Sequence, residues 1–373
     1  MKTSADILII GGGLAGLTAA IHLVRADQKV TLIERNVYPK HKVCGEYISN
    51  EVLPYLKSLD VDPFAIGSKV IDTFEFSTQT GKQLRVTLPL GGFGVSRYAL
   101  DNYLYEKAVS EGVTIIHDKV EAVQFQNGTF QIETQNNSDG YIATYCLGAF
   151  GKRSNLDKSL GRSFMKQSSP WLGVKAHYKA NFPENVVGLH HFEGGYCGLS
   201  QVETGAVNAC YLAHFDLFQK YKDIDTFQNE VVFKNTKLYT FFRESELLFD
   251  KPLTISQISF ASKPPVENGV LMMGDTAGLI HPLCGNGMAM AIHSAKIAST
   301  CIIDHLNANT SRENLEANYA EKWEQTFSKR LRSGYWLQRA LGNRTLTSLG
   351  VRILQKNAPL LKRVITQTHG KPF

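Results

Sequence analysis

The sequence predicts an α/β protein in which a Rossmann-type dinucleotide-binding domain is interrupted by a mainly antiparallel β domain and followed by C-terminal helices. Three stretches carry this expectation. An apolar run, Ile7–Ile10, enters a glycine turn, Gly11-Gly12-Gly13-Leu14-Ala15-Gly16. The middle of the chain, from Trp171 to about Phe260, is strand-rich and aromatic. A second buried run, Gly269 to Gly274-Asp275, then returns to dinucleotide-domain character before a long apolar helix.

The first stretch is a G-x-G-x-x-G turn between a strand and a helical pattern, followed by the run Lys29–Ile33 closed by Glu34. That context, rather than the glycines alone, marks a dinucleotide-binding βαβ unit. Gly11 permits the tight turn, Gly13 lets the backbone approach a pyrophosphate, and Gly16 lets helix and strand pack closely. The helix N-terminus offers unpaired N–H groups to phosphates, and Glu34 is placed to accept hydrogen bonds from a ribose. The fingerprint by itself is compatible with either NAD or FAD.

The first helix is expected over Leu14–Ala26, with Leu17, Ala20, Ile21 and Val24 on one face. A turn-rich loop, Arg35–Glu46, follows the second strand, and Asn50–Leu59 reads as a helix. Thr73–Pro89 alternates as strands about Gly81, and Ser96 caps a helix that begins at Arg97. Short strands fill Val113–Tyr145, with hairpin signals at Asn127-Gly128 and Asp139-Gly140. A second glycine turn spans Leu147–Ser154, a helical patch falls near Phe215–Phe233, and Ala289–Ile303 is a long apolar helix. The dinucleotide domain is therefore assigned residues 1–70, 96–165 and 262–310, the inserted domain 71–95 and 166–261, and a basic helical region 311–373.

Length and composition fit a soluble globular chain, since 43% hydrophobic and 20% charged residues leave neither a disordered nor a membrane-spanning composition. No run reaches the roughly 18 apolar residues of a span, and the N-terminus is too short before the first strand to read as a signal peptide. The six cysteines are scattered without a C-x-x-C pair, which favours thiols in a reducing cytoplasm over disulfides or a metal centre. The net charge of +6 is uneven. Residues 325–373 hold ten of the 40 Lys and Arg and no acid, so the rest carries 30 basic against 34 acidic residues, a net −4. Such a tail suits an anionic membrane surface or a solvated helical cover. No recognisable nucleic-acid module accompanies the charge.

Three separated signals combine: the N-terminal glycine turn with Glu34, Arg97-x-x-Leu100-Asp101-x-x-Leu104 in mid-chain, and Gly274-Asp275 before Pro282 and Gly285-x-Gly287. Together they resemble the FAD-dependent group of aromatic hydroxylases, squalene epoxidase, flavin halogenases and geranylgeranyl reductases, over nearly the whole chain. The resemblance implies a glutathione-reductase-like FAD-binding domain. It implies that Asp275 binds the ribityl chain and that the backbone N–H groups at Gly287 and Met288, after Gly285, face the flavin pyrimidine ring. There the positive end of a helix dipole would stabilise a reduced, anionic flavin. Arg97 would reach the phosphate or flavin region and Val120 the adenine site, with Gly11, Gly13, Ala15, Gly16, Glu34, Arg35, Cys44 and Gly45 completing the cofactor contacts.

Within the group, Lys42-Val43-Cys44-Gly45-Glu46 looks like the Cys-Gly segment beside the flavin of the geranylgeranyl reductases, whereas His281-Pro282-Leu283 looks more like squalene epoxidase. Phe150 stands where the hydroxylases usually carry Asp, and Gly195–Ser200 falls where reductases and halogenases are rich in Trp. The implied activity is reduction of an isoprenoid or polyene double bond in a hydrophobic substrate, with a proton from Cys44, Glu46 or water. Each of the two side chains has a simpler reading, Cys44 as packing beside the flavin and Glu46 as a helix cap. His281 is a third candidate at the flavin loop. The competing reading is an FAD-dependent monooxygenase using NAD(P)H and O₂, and a different class again is a non-catalytic flavin-binding assembly factor. With a single dinucleotide fingerprint, assigned to FAD, the electron donor is NADPH bound transiently or a protein partner. The setting is cytoplasmic or membrane-peripheral, with the basic C-terminal region as the membrane contact.

Overall fold

The computed structural model describes residues 3–166, 168–280, 285–341, 344–357, 360, 365–366 and 370–373. Two sheets organise the chain. The first runs, from one edge, through Val266–Glu267, Val270–Met272, Tyr141–Gly148, Thr3–Ile10, Val30–Glu34 and Thr114–His117. The last five of these are mutually parallel. Parallel strands covered by helices are buried on both faces, which is why Ile7, Leu8 and Ile9 form an uninterrupted apolar run with no solvent exposure. Helix Leu14–Val24 packs against helices Arg97–Ser110 and Gly287–Ala308. The hairpin Val120–Gln126/Thr129–Thr134 joins the sheet through Tyr141–Gly148, and its turn places Asn127 and Gly128 at φ of 51° and 80°.

From Thr3–Ile10 the chain steps to Val30–Glu34 and Thr114–His117 on one side, then returns to Tyr141–Gly148 on the other. The carboxyl ends of the two central strands therefore flank a topological switch point, where open α/β sheets hold ligands.

The second sheet has nine strands and is antiparallel except where Val186–Phe192 runs beside Lys69–Ser77. Its strands come from residues 47–94 and 171–255. An aromatic core that includes Phe192, Tyr211, Phe227 and Phe241 fills one side beneath the helical segments between Phe215 and Arg243. The expected helix over 50–59 is divided: a 3₁₀ turn at Asn50–Val52 precedes an α-helix at Leu53–Ser58. Pro54 fits this division, because it has no N–H to continue the helical ladder from the first piece and is tolerated in the first turn of a new helix, where that donor is not needed. The C-terminal region forms helices Arg312–Leu341 and Arg344–Lys356. No helix among the described residues is long and apolar enough to cross a membrane.

Several histidines are buried in their neutral form. His190, hydrogen-bonded to Ser77 at 2.8 Å, is pushed down to about 3 by burial and by Lys237, and His22, against Tyr55 at 2.8 Å, to about 4 by burial and by Lys296. Because these folded-state values lie below the unfolded value of about 6.5, the unfolded chain binds more protons between roughly pH 6.5 and the folded values. Stability should therefore fall on acidification, by up to about 1.4 kcal/mol per pH unit for fully buried His190. Thermal melts from pH 7 to pH 4 should show a steady decline in Tm that is reduced in His190→Gln; an unchanged slope in that variant would contradict the assignment.

Candidate active site

The site begins at the end of the first strand. Gly11 sits at φ +103°, and a Cβ there would fall 2.4 Å from the Ala149 carbonyl oxygen. Gly16 is tighter still, since a Cβ would lie 1.9 Å from the Gly11 carbonyl oxygen. The turn can close only with glycine at both positions. Helix Leu14–Val24 starts without a side-chain cap, so the first N–H groups, including that of Ala15, remain open at the cavity wall. Glu34, almost fully buried, accepts from the Gly12 N–H at 2.7 Å and from the Asn36 N–H at 2.9 Å. It thus fixes the turn as well as presenting a carboxylate at the cavity edge. Arg35 and Val120 line the same edge.

Across from Gly13 lie two cations. The Arg97 guanidinium comes within 3.5 Å of where a Gly13 Cβ would stand, and the Lys42 ammonium within 3.9 Å. Both pair with buried Asp101: Arg97 in bidentate fashion at 2.6 and 2.8 Å, Lys42 at 2.8 Å. Two cations share one carboxylate, leaving a positive surplus beside the open N–H groups of the glycine turn. That surplus suits a pyrophosphate. Burial opposes ionisation of Asp101, but Arg97 and Lys42 outweigh it and hold the carboxyl below its ordinary range.

The far wall is Gly274-Asp275 and the start of helix Gly287–Ala308. The backbone around Asp275 is held from several directions. Ser294 Oγ accepts the Gly274 N–H at 2.8 Å, the Lys263 ammonium donates to the Asp275 carbonyl at 2.8 Å, and Arg162 donates to the Thr276 carbonyl at 2.9 Å. Asp275, Gly285, Gly287 and Met288 all line the cavity. Gly285, at φ +61°, keeps the Tyr47 ring close, since a Cβ there would come within 3.1 Å of it.

The loop Lys42–Glu46 closes the site. Four successive carbonyls each accept a side-chain donor: Lys42 from Lys175 at 3.1 Å, Val43 from Lys152 at 3.3 Å, Cys44 from Asn208 at 3.2 Å and Gly45 from Ser200 at 3.3 Å. Three of these donors belong to the second sheet. Glu46, with no exposed surface and φ +53°, then reaches into that sheet. Its carboxylate meets the Lys175 ammonium, accepts the Arg97 N–H at 2.8 Å and contacts His177 Nε2 at 2.6 Å. Burial alone would raise the Glu46 pKa, but Lys175 and His177 together hold it below its ordinary value. A carboxylate kept ionised and saturated by three donors is a poor proton donor, and the geometry makes Glu46 a tie between domains. His41, Glu46 and His177 also place ligand atoms within 4.8 Å of one another, but the Lys175 ammonium already on the carboxylate disfavours a metal cation there.

Cys44 is half-buried and lines the cavity. His281 lies outside the described residues. His190 and His191 are buried apart from this cavity, and His293 stacks on Phe373 at 3.7 Å between centroids. The residues that sequence reasoning missed are Lys42 as a second cation, Lys175 and His177 as partners of Glu46, and Lys263 and Arg162 as supports of Asp275. Lys175 and His177, two residues apart on strand Trp171–Lys179, share one face, but their partner lies about 130 residues earlier.

The cavity, about 1020 Å³, continues past the dinucleotide cradle into a second chamber. Phe74, Phe76, Leu84, Leu88, Leu189 and Leu354 contribute to its walls.

Two predictions follow from this packing. Lys175→Met should cost about 3–5 kcal/mol by leaving Glu46 buried without its cation, and Glu46→Gln in the same chain should recover much of that loss. Urea unfolding of the single and double variants measures the coupling, and additive losses would contradict it. Gly16→Ala should yield protein that does not retain a dinucleotide cofactor through purification.

Comparison with known proteins agrees with the cradle. The family model described as "FAD binding domain" matches residues 4–329. Conditioned medium factor receptor 1 of Dictyostelium discoideum is 23% identical over 86% of this chain and 68% of that protein. Digeranylgeranylglycerophospholipid reductase of Methanosarcina acetivorans is 24% identical over 87% of this chain and 82% of that protein. The structure of the flavin-dependent brominase Bmp2 superposes with a TM-score of 0.80 over 97% of this chain and 93% of that one, at 17% identity, a likeness of fold alone. The chain belongs to the FAD binding domain family and is an FAD-dependent oxidoreductase.

Proposed function

We propose that this enzyme reduces carbon–carbon double bonds of an isoprenoid or other polyene chain, with NADPH as electron donor. The observation that carries the reading is the apolar chamber continuous with the FAD cradle. A chamber walled by Phe74, Phe76, Leu84, Leu88 and Leu189 offers a hydrocarbon chain favourable burial and few polar partners, which selects against charged or sugar-like substrates. The Methanosarcina relative, a digeranylgeranylglycerophospholipid reductase, belongs to the same chemistry.

The residues divide the work. Gly11, Gly13, Ala15 and Gly16 with Arg97 and Lys42 would hold the FAD pyrophosphate, while Glu34, Arg35 and Val120 would hold the adenosine side. Asp275 would hold the ribityl chain, and the N–H groups of Gly287 and Met288 the pyrimidine edge. FAD, when bound, supplies two-electron redox chemistry. The apolar walls exclude water from the substrate. Cys44, half-buried in the loop at the cavity wall, would give a proton from Sγ to the substrate carbon. Glu46 serves instead to hold that loop.

The test is anaerobic incubation of the flavoprotein with NADPH and a geranylgeranyl lipid, followed by mass spectrometry. Each reduced double bond should add two hydrogens, and Cys44→Ala should keep its flavin while slowing the reaction about 100-fold. Asp275→Ala should purify with little flavin. A product that forms only in air and gains oxygen would overturn the reductase reading in favour of a monooxygenase. Full turnover by Cys44→Ala would remove the thiol as proton donor.

A further inference from the structure

The C-terminal helices have two different faces, and the inner one belongs to the apolar chamber. Leu337 of helix Arg312–Leu341, and Thr347, Val351 and Leu354 of helix Arg344–Lys356, line the cavity. The last three recur at helical spacing, so they form one stripe. The opposite faces are exposed and of unusual composition. Lys329, Arg332, Trp336 and Arg339 recur at i, i+3, i+7 and i+10, which places them on a single exposed stripe. Trp336 is 64% exposed and its neighbour Tyr335 51%. The Arg339 guanidinium lies 5.7 Å from the Trp336 ring centroid and 5.9 Å from that of Tyr335. On the next helix Arg352 and Ile353 face outward, with Ile353 47% exposed.

Large apolar groups standing in water beside arginines cost free energy unless something covers them. Indole and phenol rings with interleaved cations match the headgroup zone of a bilayer, where the rings sit at the interface and the cations meet lipid phosphates. The absence of any Asp or Glu in residues 325–373 makes the match specific for an anionic surface.

We propose that the outer face of the C-terminal helices, centred on Arg332, Trp336 and Arg339, docks this enzyme on an anionic lipid bilayer. The helices that touch the membrane would then be the same helices that wall the chamber, so a hydrocarbon substrate passes from bilayer to cavity along them. This last step rests on the function proposed above; the docking does not.

The test is co-sedimentation of the full-length flavoprotein with vesicles, which reads binding without turnover. The protein should pellet with vesicles of equal parts phosphatidylcholine and phosphatidylglycerol, stay in solution with phosphatidylcholine alone, and be released by salt. Arg332→Glu/Trp336→Glu/Arg339→Glu should weaken partitioning at least about tenfold, since each cation near the surface contributes about fivefold, with flavin absorbance and elution volume unchanged. Should that variant aggregate, Arg332→Gln/Arg339→Gln keeps Trp336 and should still lose at least about fivefold. A native protein that stays in solution with both vesicles, or a soluble charge variant that pellets like the native one, would overturn the proposal.

Discussion

The site depends on one buried ion pair, that between Glu46 and Lys175, with His177 on the second carboxylate oxygen. All three groups are removed from water, which is costly for an isolated charge and tolerable only when each is fully partnered. The partners lie far apart in the chain. Glu46 precedes a strand of the second sheet, and Lys175 and His177 lie on strand Trp171–Lys179 of that sheet, beside its short edge strands. A non-glycine residue at φ +53° is held by this network in a conformation it would rarely adopt alone. The loop that carries Cys44 is therefore fixed mainly from the second sheet, through three carbonyls and the Glu46 carboxylate, with Lys152 and the Arg97 N–H adding one bond each from the first domain.

The same economy of charge governs the cradle. Asp101 neutralises only part of Arg97 and Lys42, and the remaining positive charge stands against a glycine turn whose N–H groups carry the positive end of a helix. Around Asp275 the logic is reversed: Lys263, and Arg162 besides its pairing with Asp157 and Glu267, donate to backbone carbonyls, which fixes the turn and leaves Asp275 lining the cavity wall. Lys263 is pushed down to about 8 by burial, against the pull of Asp157 and Asp275, so it sits near the limit at which an ammonium stays charged. Rigid backbone with unspent polar edges is the condition for holding a dinucleotide in one pose.

Much of this was legible in the sequence where chemistry is local. The contact of Gly16 with Gly11 and the Ser96 cap act within a few residues, and Glu34 acts within a single βαβ unit; Ser96 Oγ accepts the Ala99 N–H at 3.0 Å. The fold class was legible for the same reason, since both apolar runs of the first sheet are continuous and buried on two faces. Glu46 was not legible as a tie, because its partners are 129 and 131 residues away and nothing in a loop pattern announces them. Lys42 read as one more polar loop residue until the fold set it beside Asp101, 59 residues on. The division of residues 50–58 into two short helical pieces shows a local signal, Pro54, outweighed in the reading by apolar spacing.

In the proposed function, electrons pass from the flavin directly to a hydrocarbon chain in the adjoining chamber. The most direct measurement is anaerobic: reduce the flavoprotein stoichiometrically with dithionite, add a geranylgeranyl lipid, and follow the flavin absorbance in a stopped-flow cell. The oxidised flavin bands should return without oxygen, together with a lipid that has gained two hydrogens. Bands that stay bleached until air is admitted would contradict the proposed transfer.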